Sequence, residues 1–309
     1  MAVKHSLGGN ACMKIKKTPS FIAFNVIAYL TLTLIVMLCL VPFWLIVSGS
    51  LSSNRSIILE GYRLIPREFS LEAYKAILAI PQGILDAYGI TIFVTVVGTL
   101  TGLLLISMGG YVLQRRDFRS RNKISFFIYF TTLFQGGLVP WYILITNFLH
   151  LRDKIAVLIL PMLMSPFLVI LMKNFIRMSV PDEVVESAKI DGANDFKIYH
   201  SIILQLTLPG LATVGLFLGL HYWNDWFLSM LFIDTPRKYS LQFFLYNLLN
   251  GAEFLRNLSQ GTGVNVSVDI PGETTKLAMA VIVVGPIIFL YPFVQKYFVK
   301  GLTIGAVKG

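Results

Sequence analysis

The chain has 309 residues, of which 55% are hydrophobic and only 14% charged, and it carries a net charge of +10 with a mean hydropathy of +0.71. Soluble domains carry about 25% charged residues, and one soluble core of this length could not hide so much apolar surface. The two cysteines, Cys12 and Cys39, fall in a polar tail and in an apolar run, which argues against a disulfide or a zinc site.

Six stretches contain no Asp, Glu, Lys or Arg: 21–47, 87–114, 124–151, 155–172, 198–224 and 277–295. A helix needs roughly 20 apolar residues, and at least about 17, to cross a bilayer. The sequence therefore predicts an all-α integral membrane protein with six transmembrane helices. Strand alternation is absent, which argues against an outer-membrane barrel.

In chain order, residues 1–20 form a basic tail, and Pro19 marks the start of span one. That first run exceeds the roughly 7–15 residues of a signal-peptide core and is read as an uncleaved span. Cys12 follows no hydrophobic stretch, which argues against a lipoprotein anchor. Residues 48–83 form an outside segment, span two covers 87–110, and "RRDFRSRNK" (115–123) is an inside loop facing anionic lipid. Span three runs over 124–148 and contains "FQGGLVPW" (134–141), whose glycines and proline predict either close helix packing or a kink beside a pathway. Span four covers 155–173, and an inside segment occupies 174–208. Span five covers 209–233, followed by a long outside loop over 234–276. Within that loop "YSLQFFLYNLL" (239–249) is apolar but too short to span, and is expected at the interface or against a partner. Span six covers 277–296, and no internal repeat or low-complexity segment is present. The permease domain thus occupies 21–300, with a short C-terminal tail at 301–309.

The distribution of charge orients the chain. With the N-terminus inside, the inside segments hold sixteen of the 26 basic residues and six of the sixteen acids, so that face carries the whole net charge of +10. The positive-inside rule then places both termini in the cytoplasm, and the basic loops meet lipid rather than nucleic acid.

Several chemistries are missing. No GxxxxGK[ST] occurs, so the chain has no phosphate-cradling loop. His5, His150, His200 and His221 show no metal spacing, and no GxSxG nucleophile appears. Only Asp225, in "HYWNDWF" (221–227), interrupts a span with a strong charge, too little for a proton relay. It is expected to form a polar cluster with Asn224 near the outer end of span five.

Against this apolar background "ESAKIDGAND" (186–195) is a compact charged island. It reads as an elbow of two short helices. Ser179 can cap the first, Pro181 suits a first helical position, and Asp182 and Glu183 favour the positive end of the dipole. Gly192 stops that helix, and Asn194 or Asp195 caps the second, where Phe196, Tyr199 and Ile203 share a face at helical spacing. Pro209 marks the start of span five.

"ESAKIDGAND…IYHSIILQLTLPGL" resembles the EAA motif of permease subunits from binding-protein-dependent ATP-binding-cassette importers. Glu186, Ala188, Asp191, Gly192, Ala193 and Pro209 match it, Ser187 replaces the middle alanine, and Gln205 replaces a proline common in the family. "GGLVPWYIL", "YWNDWF" and the ending "YPFVQKYFVKGLTIGAVKG" look like the carbohydrate-uptake branch, closest to the second permease of LplB/LplC-type and YtcP-like systems. The resemblance implies a type I importer permease in a bacterial cell membrane. It also implies a heterodimer with a second permease, two ATPase subunits that hold the ATP and magnesium, and an extracytoplasmic solute-binding protein. No cofactor is expected on this chain, and no enzymatic activity.

Glu186, Ser187, Ala188, Lys189, Asp191, Gly192 and Ala193 would form the coupling helix that docks on the ATPase, with 234–276 facing the binding protein. Because pyranose faces stack on aromatic rings, Trp141, Tyr222, Trp223 and Trp226 are candidates for the substrate path beside Asn224 and Asp225, packing being the alternative role. The competing reading is a secondary transporter or channel that works alone; a membrane scaffold without transport is a third.

Overall fold

The structure is a computed structural model that describes residues 19–79, 81–262 and 272–306; of the side chains within them, those at 252–262, 289–294 and 296–306 are not described. Most of the basic tail, residue 80, 263–271 and the last three residues therefore lie outside it. The described residues are helical, with one isolated bridge between Ser52 and Phe69 and no strand. Helices are what long apolar runs must form, since every backbone group in hydrocarbon needs a partner within its own segment.

The helices are α1 (Pro19–Ser50), α2 (Asn54–Glu60), α3 (Glu72–Leu78), α4 (Pro81–Gln114), α5 (Arg121–Leu133), α6 (Leu138–Phe148), α7 (Ala156–Met162) and α8 (Pro166–Ser179). They continue with α9 (Asp182–Ile190), α10 (Asp195–Leu206), α11 (Leu208–Trp223), α12 (Phe227–Phe232), α13 (Leu241–Thr262) and α14 (Glu273–Ala306). Among the described residues α1 and α4 are single helices long and apolar enough to cross a membrane. Three bent pairs, α5–α6, α7–α8 and α10–α11, turn through 113°, 52° and 83° and could each make one broken span. The sixth predicted run lies within α14.

Several spans are thus interrupted where the sequence predicted continuous ones. Span three breaks at 134–137, where Gly137 adopts φ +88°, so the glycines and proline there make a kink. Span four breaks before Pro166, whose ring disfavours helical backbone at Ser165. Span five, expected to reach residue 233, stops at Trp223. There the Asn224 side-chain amide donates to the Leu220 carbonyl at 2.9 Å, and an Asp225 carboxylate oxygen accepts from the Leu228 amide at 3.4 Å. Short polar side chains compete with the helical ladder in this way. The predicted loop over 234–276 contains a 22-residue helix, α13, because Leu241 and Leu245, with Leu248 and Leu249, supply a face packed on the second core.

Helix α4 is the spine. It packs along both α8 and α11, and small residues allow the close approach that membrane helices depend on. A Cβ at Gly98 would lie 2.5 Å from the Tyr222 ring, and one at Gly110 would lie 3.0 Å from the backbone of Lys173. The main core gathers Ile106, Val157, Met172, Ile176, Leu218 and Phe232 around this spine. A second core, with Ile77, Ala87, Trp223, Leu241 and Met279, joins α3, α4, α11, α13 and α14.

A polar clasp ties the segment before α7 to the one after α12. The Asp153 amide donates to the Phe232 carbonyl at 2.8 Å. The Asp153 carboxylate accepts from the Thr235 hydroxyl at 2.7 Å, the Thr235 amide at 3.0 Å and Lys238 Nζ at 2.8 Å. Arg152 forks onto Asp234 at 2.9 and 3.1 Å. The Lys238 ammonium, with the Thr235 donors, holds the Asp153 carboxyl well below the usual carboxylate range. A depressed folded-state value stabilises above the ordinary carboxylate pKa of about 4 and is lost as pH falls below it. Asp153→Ala is therefore expected to lower the Tm of the purified protein at pH 7. The gap to wild type should narrow as the pH is taken down through the carboxylate range, and a gap that does not change would show that the carboxylate is not what closes the clasp.

Candidate functional site

The elbow begins where α8 ends. Ser179 is the last residue of α8 and does not cap the next helix; Val180 and Pro181 are extended, and Pro181 stands just before α9 rather than as its first residue. Proline at that boundary sacrifices no donor, and Asp182 and Glu183 occupy the first turn as expected. The end of α9 is closed by two bonds: the Gly192 amide to the Lys189 carbonyl at 3.0 Å, and the Ala193 amide to the Ala188 carbonyl at 2.9 Å. This is the Schellman arrangement, which needs a left-handed residue, and Gly192 has φ +79°. No atom lies within 4 Å of a Cβ placed there, so the requirement is one of backbone conformation and not of space. Asn194 then caps α10 by accepting from the Lys197 amide at 2.8 Å. A π-helical turn over Tyr199–Ile203 follows, and the chain bends at Thr207, whose hydroxyl donates to the Ile203 carbonyl at 2.6 Å. The bend exists although Gln205 replaces the usual proline.

The elbow has an inner and an outer face. Val185, Ala188 and Ala193 pack on the main core, beside the buried Ile198, Tyr199 and Ile203. The Tyr199 hydroxyl is 2.6 Å from the Ser107 hydroxyl of α4. Phe196, expected to share the buried face, is instead 69% exposed. It lies about a quarter turn off the stripe centred between Ile198, Tyr199, Ile202 and Ile203. Ile190, on the other side of Gly192, is 86% exposed. An apolar pair flanking the glycine of a charged island was visible in the sequence, but periodicity alone assigned Phe196 to the wrong side.

Charges strap this elbow to the segment that follows α4. Arg116 pairs with Asp182 at 2.9 Å, Lys189 with Asp117 at 2.9 Å, and Arg115 with Asp195 at 2.7 Å. Arg115 also forks onto Asp117. Hydrogen bonds from Arg115 and then Lys189 hold the Asp117 carboxyl far below its ordinary value, and the carboxylates of Asp117 and Asp195 raise the Arg115 guanidinium in turn. Of the residues singled out in the sequence, Lys189 is thus engaged within the chain, and Ala188 and Ala193 face inward. Ser187 donates to the Glu183 carbonyl at 2.9 Å. Glu186 and Asp191 are exposed and carry no ion pair among the described residues.

The aromatic candidates are dispersed. Tyr222 and Trp223 are buried at 2% and 6% exposure. The Tyr222 hydroxyl donates to the Ile159 carbonyl at 2.9 Å and the Trp223 indole to the Val283 carbonyl at 3.2 Å. Both are packing residues in this chain. Trp141 stands edge-on to Phe232 at 5.1 Å, half-buried. Asn224, Asp225 and Trp226 together line a recess of about 390 Å³ with Phe217, His221 and Phe227. Asn224 and Trp226 also border a second recess of about 470 Å³ toward Gln242 and Tyr246. Trp226 is 40% exposed and lies 5.1 Å from the Tyr246 ring, so that it is more open than Tyr222 and Trp223.

Residues 102–304 match the family of binding-protein-dependent transport system inner membrane components. The chain is 34% identical to the Bacillus subtilis polygalacturonan/rhamnogalacturonan transport system permease protein YtcP, covering 93% of this chain and 98% of that protein. It is 37% identical to Bacillus subtilis LplC, covering 87% of this chain and 90% of the other. Among solved structures it is similar to a chain in the crystal structure of a bacterial ABC transporter involved in the import of the acidic polysaccharide alginate. That match has a TM-score of 0.76 and 29% identity, and covers 91% of this chain and 98% of that one.

The two tryptophans beside the break should separate by experiment. Trp223→Ala removes a buried ring and is expected to cost about 3–5 kcal/mol of stability. Trp226→Ala should cost less than about 1 kcal/mol yet lower solute uptake severalfold, since its ring is accessible. Equal stability losses, read by thermal unfolding of the purified protein, would remove the distinction.

Proposed function

Because this chain belongs to the family of binding-protein-dependent transport system inner membrane components, we propose that it forms, with a second permease chain, the membrane path of an ATP-driven saccharide importer. It is a permease subunit of an ABC importer, a multi-pass membrane protein, and ATP hydrolysis belongs to a separate subunit. The stand-alone carrier reading is not favoured. The saccharide is an oligosaccharide or polysaccharide fragment, a reading supported by YtcP, named for polygalacturonan and rhamnogalacturonan transport, and by the importer of the acidic polysaccharide alginate.

The single observation that carries the mechanism is the elbow. It is a two-helix unit with a left-handed glycine at its corner, seated on the core by its inner face and showing Ile190 and Phe196 on its outer face. In this reading those two side chains, with Glu186 and Asp191, enter a cleft of the ATPase, and closure of the ATPase pushes the elbow as one body. The push reaches α4 through Ser107 and Tyr199 and through the ion pairs of Arg115 and Arg116. It reaches α11 through the bend at Thr207. The orientation has six spans with both termini in the cytoplasm, the elbow inside, and the clasp and α13 outside toward the binding protein.

Two experiments test this. A cysteine at Ser120 should resist a membrane-impermeant thiol reagent in intact cells while one at Arg237 reacts, and the reverse pattern would invert the orientation. Gly192→Val forces a β-branched residue into a left-handed corner, at about 1 kcal/mol or more. It should leave membrane insertion intact and lower co-purification of the ATPase, or solute-stimulated hydrolysis in the reconstituted complex, about tenfold. Wild-type coupling in this variant would show that the elbow is only a connecting loop.

A further inference from the structure

A recess of about 350 Å³ opens between the end of α4, the start of α5 and the end of α8. Arg116, Arg121, Lys173 and Arg177 line it, with Asp182 as the one acid. Asp182 is already taken by Arg116. Lys173 donates to the Ser125 hydroxyl at 3.1 Å and Arg121 to the Arg115 carbonyl at 3.4 Å, both neutral partners. Arg121, Lys173 and Arg177 thus share one recess without a carboxylate partner among the described residues. Three like charges converging on a partly desolvated space repel, and an anion relieves them. Two guanidinium forks beside an ammonium suit the tetrahedral oxygens of a phosphate.

We propose that this recess holds the phosphate of an anionic phospholipid headgroup. A lipid is favoured over a soluble phosphate by what surrounds the recess. Lys173 follows a run of uncharged residues over 155–172, and the recess lies just past another such run, 87–114, so the cations stand where apolar helix gives way to polar loop. The next residues along α5, Ile124, Phe126 and Phe127, are exposed and apolar, a surface on which acyl chains can lie. Basic pockets between spanning helices on the cytoplasmic side take acidic headgroups for these reasons. Since Asp182 opens the elbow and forms one wall, the headgroup would sit against the coupling element itself. The placement at the inner leaflet rests on the orientation proposed above; recognition of the lipid does not.

The test uses the purified transporter complex, without nucleotide or solute, doped with phosphatidylglycerol or phosphatidylcholine and read by native mass spectrometry. Detergent and nanodisc samples offer both lipids to both faces, so a wrong orientation leaves the result unchanged, and so does a defect in transport. The expected result is preferential retention of phosphatidylglycerol, lowered about tenfold in Arg121→Gln/Arg177→Gln and about threefold in Arg177→Gln alone, whose exposed side chain is not needed for folding. Arg119→Gln/Lys123→Gln, which removes charges from the same basic segment outside the recess, should retain the lipid as wild type does. Unchanged retention in Arg177→Gln, or an equal loss in the Arg119→Gln/Lys123→Gln control, would overturn the proposal. Displacement of phosphatidylglycerol by millimolar inorganic phosphate would assign the recess to a soluble anion instead. Loss of the ATPase from Arg177→Gln with lipid retention intact would assign it to the partner protein.

Discussion

The close approach of α4 to α8 and α11 is the constraint on which the other features hang. Glycine at 98 and 110 removes the side chain that would hold the helices apart, and Tyr222 and the backbone at Lys173 fill the space. In hydrocarbon there is little hydrophobic force between helices, so such contact and a few hydrogen bonds have to supply the attraction. Along its length α4 then meets each functional piece in turn. The Thr91 hydroxyl accepts from the Leu241 amide at the start of α13, at 2.8 Å. Ser107 meets Tyr199 of the elbow, and Gln114 lies 3.4 Å from Asp182. The elbow therefore bears directly on a helix that also touches α13 at its other end.

Electrostatics divides the two ends of the bundle between different tasks. The clasp around Asp153 closes a loop on a loop and engages its charges fully. The strap at Asp117, Asp182 and Asp195 joins a loop to the elbow and leaves three basic groups of its neighbourhood without an acid. Exposed ion pairs each contribute little, but pairs linked through a shared Arg115 restrict one another and fix orientation better than isolated ones. Their contribution here is the angle at which the elbow is held, more than stability.

Much of this was legible in the sequence because it is local. Gly192 ends a helical run, Asn194 precedes another, and both act within three residues of themselves, so spacing alone identifies their roles. Charge-free runs likewise located the helices, since their length is a property of the chain and the bilayer. What failed depended on neighbours distant in sequence. Lys189 finds Asp117 and Tyr222 finds Gly98, and no pattern within a window of one helix could foresee either. The continuity of span four and the end of span five failed for a different reason: hydropathy does not distinguish an apolar helix from apolar backbone that Pro166 or Asn224 has broken. Phe196 is an intermediate case, with the correct period but a stripe displaced by a quarter turn.

The break between α5 and α6 has a consequence for what can surround this chain. From Gln135 to Gly137 the backbone amides have no partner among the described residues, and the whole stretch is exposed. An amide left dry in hydrocarbon costs several kcal/mol, roughly the stability margin of a small domain if a few accumulate. If the break lies at the depth of the hydrocarbon, acyl chains therefore cannot be its solvent, whatever covers the rest of the bundle. The break acts as a marker of local polarity. It divides the circumference of the molecule into an arc that oil can wet and an arc that must be hydrated or closed by another polypeptide.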